Sequence, residues 1–270
     1  MKEWKASVFD REQNSLGESP FYDERLKRYS WVDITAGRLW TMTDGKKECF
    51  EFGQPIGSAV PMPHRDGFIL AAMDGIYSYV DKKVERMVDL VPYFKPYLRC
   101  NDAKLDPRGR LFFGASVNDD HPAEGALYCL DQGQVRVLVP DTKISNGMAW
   151  SSDRKSFFFS DTLKYAVFKY DYEESTGAIS NGRVLFEAEN GMTDGLCIDD
   201  EDNLWVAYWG GHRVEKRSGK DGSLLGQIPL PATNVTSCAI AEGGKRLFIT
   251  SAKDNLEGEL EGCLFICDLT

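Results

Sequence analysis

Four oxygen-bearing side chains stand out in this sequence: Glu18, Asn101, Asn146 and Asp194. They lie tens of residues apart, yet each opens a short apolar segment at the same phase of a repeat that runs along the chain. If the repeat closes into a ring, equal phase means equal height and equal distance from the axis. The four would then meet, with Ser58 and Ser237, around one mouth of a central channel. Two carboxylates sharing a low-dielectric channel repel, and unpaired burial of either is costly. A divalent cation resolves both problems. Two charged oxygens with amide oxygens and waters form a hard-ligand site suited to Ca²⁺, Mg²⁺ or Mn²⁺ and tolerable for Zn²⁺. Taken singly, each residue reads as a turn-former or a surface carboxylate; their common phase is what argues for a site.

Other chemistries fit poorly. The chain has three histidines, His64, His121 and His212, far apart and outside any metalloprotease spacing, so any metal site must be built of oxygen. Of these only His212 is placed to reach a channel mouth. The seven cysteines form no Cys-x-x-Cys pair and read as small buried apolar residues in a reducing compartment. No Gly-x-Ser-x-Gly elbow is present, and Ser58 and Ser237 lack an evident histidine partner. Lys plus Arg number 32 against 42 Asp plus Glu, a net charge of -10 that argues against nucleic acid or an anionic membrane as partner. No apolar run approaches the ~20 residues needed to span a bilayer, and the first residues lack a secretory core. A cytoplasmic protein is expected, monomeric or weakly homo-oligomeric.

The elements that must position the four oxygens are short β-strands. Apolar segments of about four to eight residues, rich in aromatic and β-branched types, alternate with Asp/Gly/Asn/Lys turns. Trp31, Leu70, Phe112, Phe158, Trp205 and Phe248 mark equivalent strands at steps of roughly 39 to 47 residues. A second strand follows several of them, as in Gly37–Thr41, Gly75–Tyr79, Gly125–Cys129 and Ala166–Tyr170. A unit of about 45 residues with four strands is a propeller blade. Residues 1–270 therefore read as a single all-β domain, a six-bladed β-propeller around a central channel. Trp4–Phe9 is expected to supply the outer strand of the blade ending in Cys263–Cys267, which fastens the ring.

Several segments resemble one family: senescence marker protein/regucalcin, gluconolactonases and luciferin-regenerating enzymes. They are Leu16-Gly17-Glu18-Ser19-Pro20, then Trp31-Val32-Asp33-Ile34, and Arg99-Cys100-Asn101-Asp102-Ala103-Lys104-Leu105-Asp106-Pro107-Arg108-Gly109-Arg110. Ile144-Ser145-Asn146-Gly147-Met148-Ala149-Trp150-Ser151 and Asp194-Gly195-Leu196-Cys197-Ile198-Asp199 complete the set. Ala103 departs from the Gly usual in the family. The resemblance implies a six-bladed propeller that hydrolyses sugar lactones with one divalent cation in the channel. The implied metal ligands are Glu18, Asn146 and Asp194, and the implied substrate contacts are Arg99 and Asn101. A further acidic contact falls by spacing on Asp119, with Asp120 or Glu124 as alternatives.

The reaction so implied is hydrolysis of a sugar (aldono-)lactone, with one cation (Ca, Zn, Mg or Mn) polarising the carbonyl and activating water. Asp194 is the expected general base, because a ligand carboxylate keeps a second oxygen free, and Glu18 is the next choice. Two other readings stay open: hydrolysis of other esters or organophosphates on the same site, and a non-catalytic calcium-binding propeller. Retention of Arg99 and Asn101 beside the three ligands favours catalysis over simple ion binding.

Overall fold

The computed structural model describes residues 2–118 and 121–270. Six antiparallel sheets are arranged in a ring, each spanning one repeat: 17–51, 56–89, 98–142, 145–187, 192–229 and 234–268. The innermost strands are Gly17–Asp23, Ile56–Pro61, Leu98–Leu105, Ser145–Trp150, Met192–Ile198 and Asn234–Ala241. Each packs against the innermost strand of the next blade, and the sixth returns to the first, which makes a six-bladed propeller. Among the described residues the helical content is one 3₁₀ turn, Thr162–Lys164. Among the described residues no helix is long and apolar enough to cross a membrane.

The marker residues occupy the second strand of every blade, where both faces are covered. Trp31, Leu70, Phe112, Phe158, Trp205 and Phe248 are all buried. Around them lie six separate apolar clusters, one at each blade-to-blade junction. This is why the repeat is legible: each blade must cover the large apolar residue of its neighbour, and deleting such a side chain costs about 3–5 kcal/mol.

The expected closure is present. Ala6–Asp10 pairs with Leu264–Asp268, with Ala6 opposite Cys267 and Val8 opposite Phe265, so the sixth blade takes its outer strand from the N-terminus. A second seam is added. Lys2–Glu3 pairs in parallel with Gly226 and Gln227 on the edge of the fifth blade, and Trp4 packs edge-on against Trp205 with ring centroids 4.9 Å apart. The N-terminal segment thus ties two neighbouring blades.

All seven cysteines are free thiols, and six are buried as expected. Cys49 is exposed, because it sits on the outer strand Lys46–Glu51, which has no neighbouring strand on its far side.

Candidate functional site

The polar residues gather where the innermost strands begin, at a backbone irregularity shared by all six blades. Pairing between first and second strands skips residues 19–20 in the first blade, 101–102 in the third, 146–147 in the fourth and 194–195 in the fifth. In the second and sixth blades it skips one residue each, Gly57 and Thr236. A bulge leaves residues out of the ladder and re-aims their side chains, here toward the axis. Close approach of the strands then requires glycine beside the functional residues. A Cβ on Gly147 would lie 2.5 Å from the Leu196 nitrogen, and one on Gly195 only 2.0 Å from Ser237 Oγ.

Glu18, Arg99, Asn101, Asn146 and Asp194, drawn from four blades, line a single cavity of about 310 Å³ at one end of the channel. All five are at least nine-tenths buried. Ser58 and Ser237 are not among its lining residues. They follow the single-residue bulges at Gly57 and Thr236, one position past the phase expected from the repeat, and Ser58 Oγ is bonded to Ser19 Oγ (2.5 Å). His212 lies in an exposed turn and does not line the cavity.

A chain of hydrogen bonds fixes the floor. Arg99 Nη1 donates to Asn101 Oδ1 (2.6 Å) and to the Cys100 carbonyl (2.9 Å). Asn101 Nδ2 donates to Asn146 Oδ1 (2.8 Å) and the Ser145 carbonyl (2.9 Å), and Asn146 Nδ2 donates to Thr162 Oγ1 (2.7 Å). Both amide orientations follow from this chain, and each amide oxygen retains a second lone pair. Glu18 is held differently: the Ser19 amide donates to Glu18 Oε2 (2.8 Å), with Ser19 in the left-handed region at φ 49°. A non-glycine residue in that region costs energy that the surroundings must offset. Ser19 Oγ is correspondingly anchored, bonding Ser58 Oγ and accepting from the Ala59 amide (3.2 Å).

The electrostatics are only partly compensated. Burial, reinforced by Asp102, pushes the Glu18 carboxyl up to about 8, against the pull of the Ser19 amide, Arg99 and Lys104. Burial, then Glu18 and Asp102, raises Asp194 well above the ordinary carboxylate range. Burial lowers Arg99 to about 10. Asp194 Oδ1 is buried with no hydrogen-bond partner. These features fit a cation bound through oxygen: two acids whose burial their neighbours only partly offset, one orphaned carboxylate oxygen and free amide lone pairs. Among the described residues no three His, Cys, Asp or Glu side chains converge as a metal-binding group, so a cation here needs amide oxygen as well.

Some participants were missed in the sequence. Asp102, adjacent to Asn101 on the same bulge, is buried, and its Oδ2 is unpartnered. Lys104 Nζ donates to the Leu196 carbonyl (2.6 Å), two residues beyond Asp194. Asp33 accepts from the Ser15 and Leu16 amides (2.8 and 3.2 Å), and Asp161 from those of Lys143 and Ile144 (3.0 Å each). These two carboxylates brace the loops leading to Glu18 and Asn146. Their signal was available: each lies 15 residues after the oxygen residue it supports. The expected contact Asp119 and its alternative Asp120 lie outside the described residues. Glu124 is taken by Tyr97 Oη (2.7 Å) and Lys95 Nζ (2.7 Å) and does not line the cavity.

A β-propeller with a buried, acid-bearing pocket at one channel mouth is the class that fold and site define. The sequence places it within that class: residues 16–253 match the model of the SMP-30/gluconolactonase/LRE-like region, and the chain belongs to this family. It is 35% identical to regucalcin of Danio rerio, over 98% of this chain and 94% of that one. Against regucalcin of Homo sapiens it is 34% identical, over 90% and 85%. A luciferin-regenerating enzyme superposes with a TM-score of 0.90 at 28% identity, covering 97% of this chain and 94% of that one. A gluconolactonase from Xanthomonas campestris shares the fold, with a TM-score of 0.80 at 20% identity and coverage of 98% and 89%.

Proposed function

We propose that this protein is a divalent-cation-dependent lactonase that opens a sugar (aldono-)lactone to its hydroxy acid. The observation that carries the reading is the orphaned, buried Asp194 Oδ1 in one cavity with Glu18 and Asn146 and beside the Arg99–Asn101 pair. Glu18, Asn146 and Asp194 would hold the cation. When bound, it supplies Lewis-acid stabilisation of the charge that develops on the lactone carbonyl oxygen.

The chain's own groups do the rest. Arg99 and Asn101 orient the ring through its oxygens, and the guanidinium fork suits either hydroxyls or a remote anionic substituent. The Asp194 carboxylate takes a proton from the attacking water on the oxygen that the cation does not engage. The hydroxide oxygen bonds to the carbonyl carbon, the ring C–O bond breaks, and the proton passes to the departing ring oxygen. Asp119 remains the proposed further substrate contact. Residues 1–270 are proposed to act as one domain, a reading supported by an apolar cluster at every blade junction.

A panel of lactones assayed with Ca²⁺, Mg²⁺, Mn²⁺ and Zn²⁺, before and after chelation, tests the proposal. Cation-dependent turnover abolished by EDTA is expected. Turnover that survives thorough chelation removes the cation from the mechanism. Cation binding with no turnover of any lactone returns the protein to a calcium-binding role, the property named for a regucalcin from Agrobacterium tumefaciens that has the same fold (TM-score 0.91, 22% identity, covering 98% of this chain and 95% of that one).

A further inference from the structure

The hydrogen-bond chain on the cavity floor has a fixed direction. Arg99 carries donors only, and the Ser145 backbone carbonyl can only accept. Held between them, Asn101 turns Oδ1 to Arg99 Nη1 (2.6 Å) and Nδ2 to the Ser145 carbonyl (2.9 Å). The second proton on Asn101 Nδ2 goes to Asn146 Oδ1 (2.8 Å), which leaves Asn146 Nδ2 to donate to Thr162 Oγ1 (2.7 Å). Thr162 is therefore the acceptor at the end of the chain, and its own hydroxyl proton must go elsewhere. Among the described residues no group accepts it.

Thr162 is 5% exposed and lines the cavity at the start of the 3₁₀ turn in the fourth blade. Its backbone is committed: the amide donates to the Ile144 carbonyl (3.1 Å), and the carbonyl accepts from the Tyr165 amide (3.0 Å). The hydroxyl is thus held at the cavity with its donor unpaired. A donor buried without a partner carries a desolvation cost that a ligand oxygen removes. A lactone brings three kinds of oxygen. Its carbonyl oxygen is the one assigned to the cation, and its ring oxygen is a weak acceptor because the ester carbonyl draws on the lone pair. Hydroxyl oxygens are the remaining acceptors, and only a hydroxylated lactone carries them.

We infer that Thr162 is a specificity contact whose Oγ1–H donates to a hydroxyl oxygen of the bound sugar lactone. The inference rests on the lactonase reading for the identity of its ligand, and the two are tested separately. Turnover of D-gluconolactone and of its monodeoxy analogues is measured for the wild type, Thr162→Val and Thr162→Ser. Affinity for the unreactive D-gluconolactam is measured by calorimetry on the cation-loaded protein. Valine also leaves Asn146 Nδ2 without its acceptor, so turnover is read at saturating cation and cation affinity is measured alongside. Thr162→Val should lower kcat/KM and lactam affinity about tenfold, chiefly through KM, and Thr162→Ser should recover most of both. One monodeoxy lactone, lacking the hydroxyl that Thr162 holds, should be turned over equally by the wild type and Thr162→Val.

Lactam affinity that falls in Thr162→Val and returns in Thr162→Ser, in the absence of any hydrolysis, upholds the contact and removes the lactonase reading. Hydrolysis with equal kcat/KM in the wild type and Thr162→Val overturns the inference and leaves the lactonase reading standing. A penalty that is the same for every deoxy lactone overturns it as well, because disorder at Asn146 would then account for the loss. So does a lactam that fails to bind the cation-loaded wild type.

Discussion

Buried acids occur in two settings in this propeller. Glu215, in the fifth blade, and Glu18, at the channel, are 4% and 6% exposed. Glu215 accepts from Arg213 Nε and Arg217 Nε (2.7 Å each), and its carboxyl is held below the usual range. Asp106 is similarly served, by Arg110 Nη1 and Tyr172 Oη at 2.7 Å and by two backbone amides. Glu18 has one amide donor, Asp194 Oδ1 and Asp102 Oδ2 have no partner, and all three carboxyls are pushed upward. At similar surface exposure, residues of one type therefore shift in opposite directions. Burial does not mark the functional acids; burial without compensation does, because a folded chain otherwise provides partners for its charges.

The strongest way to break this contrast is to neutralise one acid from each setting. Glu18→Gln and Asp194→Asn should each lower cation affinity and lactone turnover by at least about a hundredfold, with the metal-free melting temperature unchanged or raised. Glu215→Gln should do the reverse, costing about 3 kcal/mol of stability by stranding two arginines while leaving cation affinity intact. Calorimetry and thermal unfolding of the three variants check both halves. Loss of stability in the channel variants would erase the distinction.

A second effect is the pH dependence of the metal-free protein. Burial raises the Glu18 carboxyl to about 8 in the fold, against 4.5 as its ordinary value, with Asp102 reinforcing the shift and the Ser19 amide, Arg99 and Lys104 opposing it. The native state thus binds more protons than the unfolded one between these values. The stability associated with the protonated carboxyl is full below about pH 4.5 and is lost as pH rises toward 8. Denaturant unfolding at pH 5.5 and 8 should show the decline, and saturating divalent cation should reduce it. A metal-free protein equally stable at both values would contradict the uncompensated burial of Glu18.

Smaller effects separate positioning from binding. Arg99→Ala should raise KM about tenfold and change kcat less, because the guanidinium holds Asn101 and is the proposed substrate contact. Loss of cation affinity in that variant would contradict the role. Asp161→Ala should cost about 1–2 kcal/mol by freeing the Lys143 and Ile144 amides, with a modest fall in turnover through Asn146. Unchanged stability would show that the brace is dispensable.

The fold was legible because large residues in the second strands are buried in every blade, so their spacing is imposed by ring geometry. The closing strand Ala6–Asp10 was legible for the same reason. The parallel pairing of Lys2–Glu3 was not, since two exposed charged residues carry no strand pattern. Within the site, Glu18, Asn101, Asn146 and Asp194 share one cavity; the last three each open their bulge, and Glu18 immediately precedes its own. Ser58 and Ser237 left the expected phase because their bulges skip one residue where four other blades skip two. Asp102 was hidden by the same irregularity, which takes a neighbour of Asn101 out of the ladder and breaks the alternation on which a sequence reading depends.

Anomalous diffraction from crystals grown with Mn²⁺ or Zn²⁺ tests the central claim most directly. The account predicts one strong peak in the channel, about 2.0–2.6 Å from carboxylate oxygens of Glu18 and Asp194 and from Asn146 Oδ1. A channel without a peak, or a cation held by other side chains, would contradict it.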